Sequence, residues 1–292
     1  MQQTMKQLFL RHSTLLLLFF SLPGYAQVVD SNAQWTWMGG TPTAVDQNGA
    51  YVTKQVFSAG NIPGSRQAAI SWRDNDGNFW VFGGLGRPPK TGSSNAHLND
   101  LWKYDVTLKQ WAFMNGNDGD LNQTSTYGSI GAEADNYRPA GRTAAASWVD
   151  TAGNLWLFGG NGDGPATGGG AADYLNDLWR YNVKTNRWAY MGGTFTKAAT
   201  TLYGTKGVPS TANRPGGRYQ TVAWADKDNN FWFFSGHGPR ETTTKVCLNE
   251  LWKYNPVTQE WTWVSGSKTA DEAGVYGTTG VPSTANLPGA RN

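Results

Sequence analysis

The chain has 292 residues, among them 15 Trp, 12 Tyr, 12 Phe and 37 Gly, and only 15% of it is charged. Aromatics at 13% exclude a disordered chain, and glycine without a three-residue period excludes a collagen. The formal net charge is +3, from 24 basic and 21 acidic residues; removing Lys6 and Arg11 with an N-terminal leader leaves 22 against 21, or +1. So weak a field does not gather phosphates, and nucleic acid is not expected as a partner.

Lys6 and Arg11 precede an apolar run from Thr14 to Leu22, and Pro23-Gly24-Tyr25-Ala26 follows with small residues where a peptidase needs them. This reads as a secretory signal over residues 1–26, cut after Ala26. About nine apolar residues cannot cross ~30 Å of hydrocarbon, which takes about 20. No later segment is apolar enough, so no membrane span is expected. The product is expected outside the cytoplasm: secreted, periplasmic or at the cell surface. Cys247 is the only cysteine, so packing must replace disulfides, and none stands at the cleavage site to carry a lipid.

Beyond the leader one unit recurs in tandem. Asp74-Asn75-Asp76-Gly77-Asn78-Phe79-Trp80-Val81-Phe82-Gly83-Gly84 returns from Asp150 to Gly160 and again from Asp226 to Gly236. Leu98-Asn99-Asp100-Leu101-Trp102-Lys103-Tyr104 returns from Leu175 to Tyr181 and from Leu248 to Tyr254. A further strand opens at Trp35, Trp111, Trp188 and Trp261, spaced by 76, 77 and 73 residues. Every tryptophan belongs to one of these columns, to a further one at Trp72, Trp148 and Trp224, or follows one, as Trp37 and Trp263 do. A ring at the same place in every copy fills a packing slot; it is not a single ligand platform.

Each copy divides into four short strands. Strand a runs from Arg66, Arg142 or Arg218 to Trp72, Trp148 or Trp224. A tight turn follows, in which Gly77, Gly153 and Asn229 share the position that needs a positive φ. Strand b carries Trp80 and Phe82, apolar on both faces and so covered on both. It ends at Gly83-Gly84, where backbone must approach closely. Strand c is Leu98–Tyr104, with an Asx turn at Asp105, Asn182 or Asn255 leading to strand d.

Four antiparallel strands per unit with Gly-Gly and Trp signatures predict an all-β fold, a β-propeller of four-stranded blades. At these residues the chain resembles the kelch family. The family's Gly-Gly after strand b, and its Tyr and Trp around the c–d turn, stand here as Gly83-Gly84, Tyr104 and Trp111. They recur as Gly159-Gly160, Tyr181 and Trp188, then as Ser235-Gly236, Tyr254 and Trp261. Ser235 departs from the pattern, and so does the period of about 75 against about 50. The resemblance implies a partial kelch-type propeller over residues 27–292. Its blades would lie at about 66–115, 142–192 and 218–265, and Arg291 would open a fourth. Three blades do not close a ring. The chain is therefore expected to be the N-terminal part of a longer propeller, or to self-associate, two chains making six blades.

The residues added to each period lie between strand d and the next strand a, and they repeat too. Tyr127, Tyr203 and Tyr276 match, with Tyr51 in the first copy, and Gly207–Asn213 is copied as Gly280–Asn286. An ordered loop is predicted. Strand alternation puts these insertions and the b–c loops (85–97, 161–174, 237–247) on one rim, where function usually sits. The candidate binding residues there are Tyr174, His237, Arg240, Asp118 and Asp120. Asn117–Asn122 has a calcium-loop look, but Gln123 and Ser129 fall where an EF-hand needs Gly and an acid, so an Asx turn is the better reading. His97, Tyr174 and Cys247 share one column and are expected to pack loops. Arg66, Arg142 and Arg218 pair naturally with Asp100, Asp177 and Glu250 as scaffold.

Among enzymes the chain resembles galactose oxidase, whose copper-radical site uses two His, two Tyr and a Cys. After the leader only His97 and His237 remain, in non-adjacent blades. No metal-ligand spacing, nucleophile–base pair or phosphate loop is present. No cofactor and no catalytic residue is therefore expected. The favoured expectation is a secreted, non-enzymatic propeller that binds a protein or glycan with its loop-rich face. A galactose-oxidase-like or other carbohydrate-active enzyme is the alternative.

Overall fold

The computed structural model describes residues 36–40, 46–87, 95–118, 123–164, 172–242 and 244–292. The leader at 1–26, Trp35 and Asp120 lie outside these residues. The chain forms two units, Met1–Gly39 and Gly40–Asn292. Residues 36–39 of the first contain no strand, and Trp37 is exposed. All strands among the described residues belong to the second unit.

That unit is all-β, with antiparallel pairing throughout and no helix among the described residues. No helix there is long and apolar enough to cross a membrane. The first sheet holds β1 (Arg66–Gln67), β2 (Ile70–Arg73), β3 (Phe79–Gly86), β4 (Ala96–Asp105) and β5 (Gln110–Asn115). Its order is β1-β3-β4-β5, with β2 also beside β3. The second sheet runs β6 (Glu133–Ala134), β13 (Arg187–Gly192), β12 (Leu178–Asn182), β9 (Leu155–Phe158), β8 (Ala146–Val149). A small sheet beside it joins β7 (Arg142–Thr143), β10 (Asn161–Gly162) and β11 (Asp173–Tyr174). The third sheet is β14 (Val222–Ala225), β15 (Phe231–Phe234), β18 (Leu251–Asn255), β19 (Glu260–Ser265), and β16 (His237–Pro239) pairs with β17 (Lys245–Cys247). Among the described residues no sheet closes into a barrel.

The turns explain why these strands form where they do. Asp74 Oδ1 accepts from the amides of Asp76 and Asn78, and its Oδ2 accepts from the Trp80 indole at 2.9 Å. Asp150 and Asp226 hold Trp156 and Trp232 in the same way, each at 2.8 Å. Gly77, Gly153 and Asn229 sit at φ 87°, 85° and 62°, the left-handed turn conformation expected of that column. Asp105, Asn182 and Asn255 cap the c–d turns by accepting amides two and three residues on.

Strand a departs from expectation. It does not run unbroken from the arginine to the tryptophan but is interrupted at Ala68, Ala144 and Gln220, with φ of 50°, 50° and 57°. The cause lies between sheets: Ala144 N–H donates to Ala68 O at 2.9 Å, and Gln220 N–H to Ala144 O at 3.0 Å. The first b–c loop is also shorter than predicted, because Leu85 and Gly86 still pair with His97 and Ala96.

The sheets pack face on face. Ile70, Trp72, Trp80, Phe82 and Leu101 of the first meet Leu155, Leu157, Trp179, Tyr181 and Trp188 of the second. The second sheet's other face, with Trp148, Trp156, Phe158 and Met191, meets Phe231, Phe233, Trp252, Tyr254 and Trp261 of the third. Each such side chain contributes about 1.5–3 kcal/mol by leaving water. Indoles also stitch the sheets: Trp72 donates to Trp156 O at 2.9 Å, and Trp148 to Trp232 O at 3.0 Å.

In their described residues the insertions each clasp strand d of the sheet that follows them. Ser58 N–H and Asn61 Nδ2 donate to Trp111 O, and Gln55 N–H to Phe113 O. In the third copy Ser210 N–H and Asn213 Nδ2 donate to Trp261 O, and Gly207 N–H to Trp263 O. In the second, Ala134 and Glu133 of β6 pair with Trp188 and Ala189. These segments cover an outer sheet edge that would otherwise offer unpaired backbone.

Candidate functional site

Two kinds of polar cluster emerge, one repeated and one unique. The repeated cluster centres on a buried acid. Arg66 makes a two-pronged pair with Asp100 at 2.7 and 2.8 Å, and Tyr51 Oη and Trp102 Nε1 donate to the same carboxylate, each at 2.6 Å. Arg142 repeats this with Asp177 at 2.6 and 2.8 Å, joined by Tyr127 at 3.0 Å and Trp179 at 2.7 Å. In the third copy Arg218 Nη1 lies 2.9 Å from Glu250 Oε2, and Tyr203 and Trp252 donate to that glutamate. Burial pushes the Asp100 carboxyl up, but Arg66 and the two further donors, Tyr51 and Trp102, outweigh it and hold the group below the usual carboxylate range. Burial, and then the neighbouring carboxylate, push the Tyr51 and Tyr127 phenols well above their ordinary value, so both stay protonated donors. In the first two copies the acid's partners are all structural; in the third, Arg218 Nη1 is ion-paired with Glu250 but makes no well-aligned hydrogen bond among the described residues. The predicted Arg–acid pairs form, and the tyrosines of the insertions complete them.

The unique cluster sits where the second and third sheets meet. Tyr174, at the end of β11, stacks on Tyr219 with ring centres 4.8 Å apart and planes 28° off parallel. Tyr174 Oη lies 3.0 Å from His237 Nδ1, and the imidazole stands edge-on to both phenols. Lys245 Nζ lies 4.5 Å above the Tyr174 ring and 2.6 Å from Asp173. His237 is placed by two backbone partners, Tyr219 in a bridge and Cys247 across the β16–β17 pair. All of these side chains are part-exposed except Lys245, which is exposed. Partial burial, followed by Tyr219, pushes the Tyr174 phenol up to about 12. It is therefore a neutral donor or acceptor at ordinary pH.

Of the five predicted site residues, Tyr174 and His237 come together. Arg240 lies in the same third-sheet loop as His237, and its carbonyl accepts from Thr201 N–H at 2.6 Å. Its Nε and Nη1 are buried and meet no acceptor among the described residues. Asp118 is exposed on the segment after β5, and Asp120 lies outside the described residues. Tyr219, Lys245 and Asp173 were not singled out in the sequence. Tyr219 directly follows the recurrent Arg218, where the first two copies have Gln67 and Thr143, and that break in the column is the signal that could have found it.

Hydrogen bonds join b–c loops to insertions, as Ser125 N–H to Gly164 O and Ala198 N–H to Tyr174 O. His97 belongs to the other junction, with Nδ1 3.6 Å from Asp163. The two histidines thus serve different sheet contacts, and among the described residues no three His, Cys, Asp or Glu side chains converge. This donor set does not fit a copper site built on two imidazoles.

No protein-family model and no curated protein matches the chain. Solved structures that are similar include one described as the structure of YjhT, at 18% identity and a TM-score of 0.45. The similarity covers 73% of this chain and 56% of that one, so the chain spans little more than half of its length.

Proposed function

We propose that the chain is an exported, kelch-type β-propeller section that acts as a binding scaffold, each sheet being one blade. On this reading the Tyr174–Tyr219–His237 cluster holds a protein or glycan ligand, and its chemistry favours a sugar. The observation that carries the reading is a part-exposed stack of two phenols with an imidazole and an ammonium at its edge. Sugars dock C–H faces on such rings and bond their hydroxyls to neighbouring polar groups. Among the described residues the cluster occupies the one sheet junction where two phenols and an imidazole meet, which suits a specific site on a repeated frame. Gly-Gly in the first two sheets, Ser235-Gly236 in the third, and Tyr and Trp at the same places in all three support the kelch assignment.

The test is a glycan-array screen of the mature chain, followed by calorimetry on each hit with Tyr174→Ala and His237→Ala. Either substitution is expected to weaken binding by about tenfold or more. Hits indifferent to both changes would remove the site. Stoichiometric copper with alcohol turnover would replace the scaffold reading by the oxidase one.

A further inference from the structure

Beyond the Gly-Gly column, strand register sets three residues in a row across each copy. Gln67, Leu85 and His97 are direct partners in the first, and Thr143, Asn161 and Tyr174 in the second. Tyr219, His237 and Cys247 are partners in the third. Directly opposed residues of antiparallel strands stand about 5 Å apart with their side chains on one face. Each row is therefore a short ledge, and the ledges meet where the sheets meet.

The two junctions are closed alike: backbone at Gly141 lies against His97 O, and backbone at Gly217 against Tyr174 O. What the frame repeats, the side chains vary. At the second junction Tyr174 meets Tyr219 and His237. At the first, His97 Nδ1 lies 3.6 Å from Asp163. Asp163 follows β10 and donates its N–H to Gly141 O at 3.1 Å, so it prolongs the strand. Two residues on from Asn161, it presents its side chain on the same face. Tyr174 belongs to both groups, since it opposes Asn161 in its own sheet and stacks on Tyr219 of the next. The aromatic cluster thus continues onto an amide and a carboxylate, and all of these side chains are half-buried. Asn161 Oδ1 and Asp163 Oδ2 meet no donor among the described residues. An acceptor left without a donor is costly, and the soft χ2 of Asn and Asp lets either oxygen turn to the open face.

We propose that Asn161 and Asp163 form a second sugar subsite, and that the ligand is a neutral oligosaccharide lying across both junctions. The inference rests on the sugar reading of the Tyr174 cluster and adds length and charge to it. One ring docks on the phenols, and the next sets its hydroxyls on the amide and the carboxylate. Hydroxyls donate, so they satisfy both oxygens that lack a donor. A ring carrying a carboxylate there would face Asp163 and is refused by like charge. Lys245 does not reverse this preference, because Asp173 already matches it at 2.6 Å.

The probes are ladders of one to four β-1,4-linked units of glucose, mannose or galactose, titrated calorimetrically into the full mature chain. At least one ladder is expected to bind, with two units held about tenfold or more tighter than one. Asn161→Ala and Asp163→Ala should bring the two-unit affinity back to the one-unit level, whereas Tyr174→Ala should weaken every member. Oxidising the bound ladder to its uronate form at C6 should weaken it, and Asp163→Asn should restore part of that loss. Thermal melts of each variant confirm that the fold is kept. A ladder that binds through Tyr174 with no gain beyond one unit would overturn this inference and leave the sugar site standing. So would a gain that survives both alanine changes, or a tighter grip on the uronate than on the neutral ladder. Binding by none of the ladders would overturn it too, and the Tyr174 dependence of array hits then decides the sugar reading separately.

Discussion

Ser235 carries a side chain where Gly83 and Gly159 carry none, at φ 71° against their 63° and 72°. A Cβ on Gly159 would stand 2.7 Å from Arg218 O and 2.9 Å from Leu175 O, closer than carbon and oxygen tolerate. The serine offsets this by chemistry: its single O–H lies within reach of both matching carbonyls, Leu248 O at 2.8 Å and Arg291 O, and donates to one or is shared between them. A close approach that rejects a methyl group thus accepts a hydroxymethyl one. Gly159→Ala is therefore expected to cost on the order of 2–3 kcal/mol, from left-handed strain plus overlap. Gly159→Ser should cost clearly less, because its hydroxyl can donate to one of those carbonyls. Urea unfolding of the two variants checks this, and equal losses would reject the explanation.

At the scale of the strand and turn, the aspartate of the a–b turn acts as the anchor. Burial raises the Asp226 carboxyl, but the Trp232 indole, the Asn230 side chain and two backbone amides outweigh it and hold the group at about 2. A carboxyl depressed in the folded state stabilises above its unfolded value near 4 and loses that contribution as pH falls towards 2. The third sheet should loosen over that window. Asp226→Asn should flatten the pH dependence there while lowering stability at neutral pH, as thermal melts between pH 2 and 7 would record. This anchor was legible in the sequence, because Gly77, Gly153 and Asn229 mark the turn and the tryptophans recur six residues after the aspartates. The break in strand a was not legible. Ala68, Ala144 and Gln220 are ordinary strand or helix residues, and only a hydrogen bond from a neighbouring sheet draws them to positive φ. The insertions were legible as ordered repeats, but their grip on strand d requires knowing which sheet each one reaches.

Across the whole molecule, ion pairs differ in worth according to burial. Arg142 and Asp177 are 0% and 1% exposed, whereas Arg187 and Asp135 are 42% and 84% exposed. Asp177→Asn leaves a buried guanidinium without its counter-charge and should cost about 3–5 kcal/mol. Asp135→Asn should barely move the unfolding midpoint, because water screens that exposed pair. Denaturant midpoints for the two variants would show whether the buried cluster has the structural weight argued for it. The pairing of Arg66, Arg142 and Arg218 with their acids could be read from recurrence alone. The meeting of Tyr174 with His237 could not, since one precedes strand c of one sheet and the other follows strand b of the next. Their approach depends on the angle at which two sheets pack, which no local pattern encodes.

The indoles of Trp72 and Trp148 both reach forward along the sequence, to carbonyls of Trp156 and Trp232 made 84 residues later. The segment around Tyr127 likewise closes on a carboxylate 50 residues ahead of it. Chain order and packing order therefore agree: the indole of each module finds its carbonyl on the module that follows it in the sequence. Removing a module should therefore expose polar groups of the one before it.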